Sequence, residues 1–226
     1  MKEIHEQPKA VRDTVNSVLK NGTIDLSEMG LSTERICQIS QIYIVACGSA
    51  YHVGVAAQYA IEDLSKIPVR VELASQFRYR KPLLDPNGLV VIVSQSGETA
   101  DSLAALREAK SKGIETLAIV NVVGSSIARE ADHVFYTLAG PEIAVATTKA
   151  YSTQLIAAYV LAIKFAIARE EISEEEAQEM IKELTELPDK ISKILDEKER
   201  IQWFAAKVAN LQDVFFIGRG MDYAIG

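Results

Sequence analysis

The chain has 226 residues, 48% of them apolar, with a formal net charge of −7 and an isoelectric point near 5.1. That apolar content can bury one large core, or one domain and part of another. The acidic balance argues against nucleic acid or an anionic membrane as partner, because both demand a basic face. Cys37 and Cys47 fall in no C-x-x-C pair and make no disulfide framework, which fits a reducing cytoplasm. His5, His52 and His133 are scattered without metal-ligand spacing, so neither a metal nor a cofactor is expected. Met1–Pro8 lacks the apolar run of a secretory signal.

Taken in chain order, residues 8–20 read as an amphipathic helix with Pro8 at its start and Val11, Val15, Val18 and Leu19 on one side. A polar stretch, Asn21–Thr33, follows. Strands are expected at Gln41–Ala46, Val69–Leu73, Leu89–Val93, Thr116–Asn121 and His133–Thr137. Helices are expected at Ala50–Leu64, Ala100–Ser111 and Thr147–Arg169. The tract Leu155–Ala168 is interrupted by Lys164 and too short to span a bilayer, so it reads as a buried helix. Strands lying between helices imply an α/β fold, a doubly wound parallel sheet flanked by helices. Ligands of such a sheet bind beyond the carboxyl ends of its strands. From Glu170 to Ile201 an acidic helical segment keeps an apolar rhythm at Ile181, Leu184, Leu187, Ile191 and Ile194, with a break expected near Pro188.

The most informative segment is Ser94-Gln-Ser-Gly-Glu-Thr99, set between the apolar run Gly88–Val93 and a helix. A strand that enters a helix through such a turn presents unpaired amides and a partial positive charge. Ser94, Ser96 and Thr99 add neutral hydroxyls, and Gly97 permits close backbone approach. No lysine lies in the loop, so it is not a nucleotide P-loop. It suits a small phosphorylated metabolite. The plainer alternative is that Ser96 or Thr99 merely caps the helix, and the default for Glu98 is capping at the same helix start.

The chain also repeats itself: Ile42–Gly54 aligns without gaps to Val214–Gly226, matching Gly48, Tyr51 and Gly54 to Gly220, Tyr223 and Gly226. A second domain would then begin near residue 213.

Ser94–Asp101 resembles the phosphate loop of sugar isomerase (SIS) domains. Val45–Gly48, Glu72–Arg80, Asn121–Ser126 and Gly140–Ala150 narrow the likeness to the isomerase half of the glutamine–fructose-6-phosphate aminotransferases. Glu3–Pro8 is similar to the segment that enters this half from the glutaminase domain. The resemblance implies a flavodoxin-like SIS fold with an N-terminal helix and lead-in at 1–34, a first SIS domain at 35–170, a helical connector at 171–212, and the first strand of a second SIS domain at 213–226. It implies that Ser94, Gln95, Ser96 and Thr99 bind the phosphate of fructose 6-phosphate or glucosamine 6-phosphate. Cys47, Gly48 and Ser49 would lie beside the sugar, and Val145, Ala146 and Thr147 would contact its hydroxyls. Ala50 departs from the commoner serine. By its residue type and strand-end position, Cys47 reads as packed rather than nucleophilic.

In the family, the lysine, glutamate and histidine that move protons lie beyond residue 226, so no catalytic residue is carried over. The expected partners are the glutaminase and second SIS domains, absent from this chain, and a second copy in a homodimer. Dimerisation through the apolar helix Thr147–Arg169 is one possible structural role. The alternatives are another SIS enzyme, such as a fructosamine-6-phosphate deglycase or sugar-phosphate isomerase, or a non-catalytic sensor of sugar phosphates.

Overall fold

The computed structural model describes residues 1–225. In chain order it holds α1 (Lys2–Val18), a small hairpin of β1 (Leu19–Lys20) and β2 (Thr23–Ile24), then α2 (Thr33–Gln38), β3 (Ile42–Ala46), α3 (Ser49–Ser65), β4 (Val69–Leu73) and α4 (Ala74–Arg80). It continues through β5 (Leu89–Ser94), α5 (Ala100–Ser111), β6 (Glu115–Val120), α6 (Ser126–Glu130), β7 (His133–Tyr136), α7 (Lys149–Ala168), α8 (Glu174–Asp196), α9 (Lys198–Val208) and α10 (Met221–Ile225). The five longer strands form one sheet in the order β4-β3-β5-β6-β7, and every pair in it is parallel.

The central strands β3 and β5 are almost wholly apolar and buried because both faces are covered. Ile42, Ile44, Val91, Val93, Leu117 and Ile119 face one layer of helices, in a core that includes residues of α1, α3, α7 and α8. Tyr43, Val45, Val90, Ile92, Ala118 and Val120 face the other layer, packing with residues of α4, α5 and α6. Gly54 brings α3 close to the sheet: a Cβ there would lie 2.9 Å from Ile44 Cγ2 and Val71 Cγ1.

Several expectations are corrected. The first helix begins at Lys2, and Pro8 lies inside it. Pro8 has no N–H for the Ile4 carbonyl, but Gln7 Nε2 donates to that oxygen at 3.1 Å and lessens the defect. The polar stretch after it contains a hairpin turned by Asn21 (φ 52°) and Gly22 (φ 76°), the Asn-Gly pair that a two-residue turn favours. Helix α8 runs through Pro188 without a break. Ala177, Ile181, Leu184 and Pro188 are buried along one face of it, and Arg12 of α1 pairs with Asp189 at 2.9 Å. That packing outweighs the cost of the missing N–H. Helix α7 could cross a membrane by length and composition, yet two thirds of its most apolar window is buried inside the fold. Most of its apolar residues are used in the chain's own core. Residues 213–218 form no strand, since a strand needs a ladder partner and these residues have none here.

Candidate functional site

The strand order fixes where a site can form. The chain leaves β3 toward β4 on one side and β5 toward β6 on the other, so the carboxyl ends of β3 and β5 flank the switch point. Helix α3 leaves toward one layer and α5 toward the other. The Cys47–Ser49 and Ser94–Thr99 loops therefore border the same crevice. Ser102 of α5 joins them, its Oγ lying 3.9 Å from Cys47 Sγ.

Within the second loop the hydroxyls organise one another. Ser94 is 3% exposed, its Oγ lies 3.1 Å from Thr99 Oγ1, and it accepts the Gly97 N–H at 3.1 Å. Ser96 Oγ accepts the Glu98 N–H at 3.2 Å. Gly97 has φ +66°, and a Cβ on it would fall 2.5 Å from Ser125 Cβ and nearer still to Ser125 Oγ. Only glycine fits here, on both counts. Gln95, Ser96 and Thr99 are half-buried, open at the sheet's edge.

Thr99 occupies the position before α5 without making a side-chain cap bond. Glu98 does not cap α5 either. Its Oε1 accepts the Ser126 N–H at 2.7 Å, and the Ser126 hydroxyl and amide hold its carboxyl below the usual carboxylate range. The carboxylate is thereby drawn toward the start of α6, away from the α5 amides. Two backbone bonds brace the loop from the same side: Asn121 N–H to Gln95 O at 3.1 Å and Ile127 N–H to Gly97 O at 3.0 Å. The resulting concavity combines first-turn amides with hydroxyls, a chemistry suited to an anion of phosphate size.

The first loop is simpler. Gly48 turns the chain at φ 57°, Ser49 is exposed at the start of α3, and Cys47 is half-buried. Beside it, an open cleft of about 520 Å³ is lined by Ser49, Tyr51, His52, Tyr151 and Tyr223. A cleft of about 570 Å³ lies at the opposite edge, where β5, β6 and β7 begin. Its cations are already engaged, Arg35 with Glu115 and Lys110 with Asp132, so it offers no free positive charge to a ligand. Arg78 and Arg80 likewise pair with Asp101 and Glu72, as surface residues.

Val145, Ala146 and Thr147 stand in the loop before α7. Val145 and Ala146 are exposed, and Thr147 Oγ1 donates to Glu142 Oε2 at 2.9 Å. Among the described residues no hydrogen bond joins these three to the Ser94 loop. Glu142, which was not singled out from sequence, caps α7 by accepting the Thr148 N–H at 2.9 Å. An acidic residue seven positions before the helix in a Thr-Thr context was the available signal.

Residues 35–164 match the SIS domain family. Over all 226 residues the chain is 53% identical to a glutamine–fructose-6-phosphate aminotransferase [isomerizing] of Caldanaerobacter subterraneus and 52% identical over the same length to that of Clostridium tetani. It spans 37% of the length of each. The C-terminal domain of glucosamine-fructose-6-phosphate aminotransferase from Francisella tularensis superposes with a TM-score of 0.95 at 37% identity, over 99% of this chain and 63% of that one. The fold is thus shared with that structure, and the chain belongs to the SIS domain family.

Proposed function

We propose that the chain is the fructose-6-phosphate-binding SIS unit of a glucosamine-6-phosphate synthase working in the cytoplasm. The observation that carries this reading is the Ser94–Thr99 loop, whose three hydroxyls lie beside the first-turn amides of α5 at the switch point with the Glu98 carboxylate tied back. Such a cradle holds a dianion by charge-assisted hydrogen bonds without any lysine. Ser94, Gln95, Ser96 and Thr99 take the phosphate, Cys47, Gly48 and Ser49 flank the sugar, and Val145, Ala146 and Thr147 meet its hydroxyls. Glucosamine 6-phosphate, which carries the same phosphate, binds in the same way.

Residues 35–170 are the first SIS domain in this reading, with 1–34 as lead-in, 171–212 as connector and 213–226 as the start of a second SIS domain. The internal repeat supports that division. Gly48 and Gly220, equivalent in the alignment, share a φ of +57°, and each immediately precedes or nearly precedes a helix, α3 or α10. Val214–Ile217, equivalent to the core of β3, are 51–95% exposed, as a strand awaiting neighbours would be. The glutaminase domain, the second SIS domain and a second copy of the chain are its partners. Proton transfer between C1 and C2 belongs to residues outside this chain, so the chain alone binds sugar phosphate without turning it over.

Calorimetric titration of fructose 6-phosphate, with unphosphorylated fructose and Ser96→Ala as controls, tests the reading. Binding that needs the phosphate and weakens tenfold or more in Ser96→Ala supports it, on the scale of one hydrogen bond to a charged group, about 1.5–3 kcal/mol. Equal binding of fructose, or indifference to Ser96, overturns it. Turnover by the purified chain refutes the division of labour.

A further inference from the structure

The loop at residues 141–148 has no regular structure, and residues 143–146 are exposed. A segment of this kind is ordinarily among the least stable in a fold. Here two carboxylates hold its amides. Glu142 Oε1 accepts from Thr148 N–H at 2.9 Å and from Ala150 N–H at 3.4 Å. Glu3, at the start of α1 and far away in sequence, accepts from Ile143 N–H at 2.7 Å and Ala144 N–H at 3.3 Å. The Ile143 amide, acting against partial burial, lowers the Glu3 carboxyl below its ordinary range, and Glu3 Oε2 is buried with no partner. Glu6, one turn later, meets Lys149 at 2.6 Å, a lysine only 3% exposed. Ser152 Oγ donates to Gln7 Oε1 at 2.6 Å. Three residues of one α1 turn thus grip both the loop and the first turn of α7, although residues 2–7 lie outside the span that matches the family.

We infer that Glu3 is a positioning residue for the sugar end of the ligand, holding the 141–148 loop as a subsite for neutral hydroxyls. The inference rests on the sugar-phosphate reading above. Its chemistry is complementary to that of the Ser94 loop. Carboxylates take the amides of Ile143, Ala144 and Thr148, so the loop offers an anion fewer donors than it otherwise would. The carbonyls of residues 143–146 enter no hydrogen bond among the described residues, and a carbonyl accepts what a sugar hydroxyl donates. The nearby negative charges of Glu3 and Glu142 disfavour a phosphate there, so one molecule carrying both groups is oriented: phosphate to the Ser94 loop, hydroxyls to the α1-held loop. Displacing the first turn of α1 would release the second subsite and leave the first intact.

The test uses the whole chain and three variants, Glu3→Ala, Glu3→Gln and Ser96→Ala. Each is titrated with fructose 6-phosphate and with inorganic phosphate, and amide exchange is followed at Ile143 and Ala144. Glu3→Ala is expected to weaken fructose 6-phosphate about tenfold, to leave inorganic phosphate unchanged, and to accelerate exchange at both amides. Glu3→Gln, which keeps an acceptor, should fall between it and the native chain. Unchanged fructose 6-phosphate affinity in Glu3→Ala overturns the inference while the Ser96 dependence upholds the site. An equal loss for both ligands, with faster exchange throughout α7, also overturns it, since that marks undocking of α1. If the native chain binds neither ligand, the sugar-phosphate reading falls and takes this inference with it.

Discussion

Gly97 is where the Ser94 loop is most tightly determined, and replacing it by alanine tests the geometry directly. Two independent costs arise. Its φ of +66° lies in the left-handed region, where an L side chain costs about 1–2 kcal/mol. Its new Cβ would sit 2.5 Å from Ser125 Cβ, and Ser125 is only 3% exposed, with little room to yield. Overpacking of that kind costs about 1–3 kcal/mol. Gly97→Ala should therefore lose about 2–5 kcal/mol in urea denaturation followed by circular dichroism, on these two grounds. The second cost can be isolated, because Ser125→Gly removes both the Cβ and the Oγ that obstruct it. That single change should be nearly silent: Ser125 makes no side-chain cap bond at α6, its Oγ has no partner, and serine to glycine at such a position costs only a few tenths of a kcal/mol. Glycine at 125 should then recover about 1–3 kcal/mol in the Gly97→Ala background, a coupling that a double-mutant cycle measures. Strict additivity of the two substitutions would refute the claim that Ser125 is what excludes a side chain at residue 97.

Gly54→Ala forces a methyl against Ile44 and Val71 at 2.9 Å and should cost about 1–3 kcal/mol in the same denaturation assay, whereas a neutral result would mean α3 can shift. Pro188→Ala restores an N–H inside α8 and should stabilise by about 1–2 kcal/mol, the propensity gain being offset in part by a more flexible unfolded chain and a smaller buried side chain. Burial raises the Asp132 carboxyl, but its bonds to Lys110 and Thr116 outweigh this and hold it below the ordinary value. A depressed folded value contributes stability above the unfolded one, near pH 4, and loses it as the pH falls through the folded value. Asp132→Asn should accordingly be less stable at pH 7 and show a shallower acid limb; parallel acid limbs for the two proteins would contradict this assignment.

The sheet was legible because burial on both faces writes itself into sequence as short β-branched runs. Val69–Leu73 and Ala100–Ser111 emerged with their ends unchanged, and the other sheet strands shifted by a residue or so. The failures share a cause. Pro8 and Pro188 read locally as a start and a break, yet both lie within helices whose faces pack elsewhere in the chain. The hairpin at Lys20–Thr23 did carry a local signal, Asn21-Gly22, but flanking strands of two residues each gave no alternation to support it.

The same division runs through the candidate site. The Ser94–Thr99 loop is built from residues within six positions of one another, and its hydroxyl bonds are short-range, so sequence reveals it. What sequence conceals is the direction of its charge. Glu98 reads as a cap for the helix that follows it, whereas the structure turns it toward Ser126, 28 residues on. That turn matters chemically: a carboxylate at the α5 amides would compete with the anion they suit, while one drawn aside leaves them free. Glu3 shows the same logic over a greater separation, its partners Ile143 and Ala144 lying 140 and 141 residues away. In both loops a carboxylate is bonded to backbone amides: Glu98 to that of Ser126, which leaves the first-turn amides of α5 to a ligand, and Glu3 to those of Ile143 and Ala144, which fixes the loop whose carbonyls stay free. On the sugar-phosphate reading proposed above, an acidic chain holds its ligand with no lysine in either loop, because its carboxylates are bonded to backbone amides rather than facing the ligand.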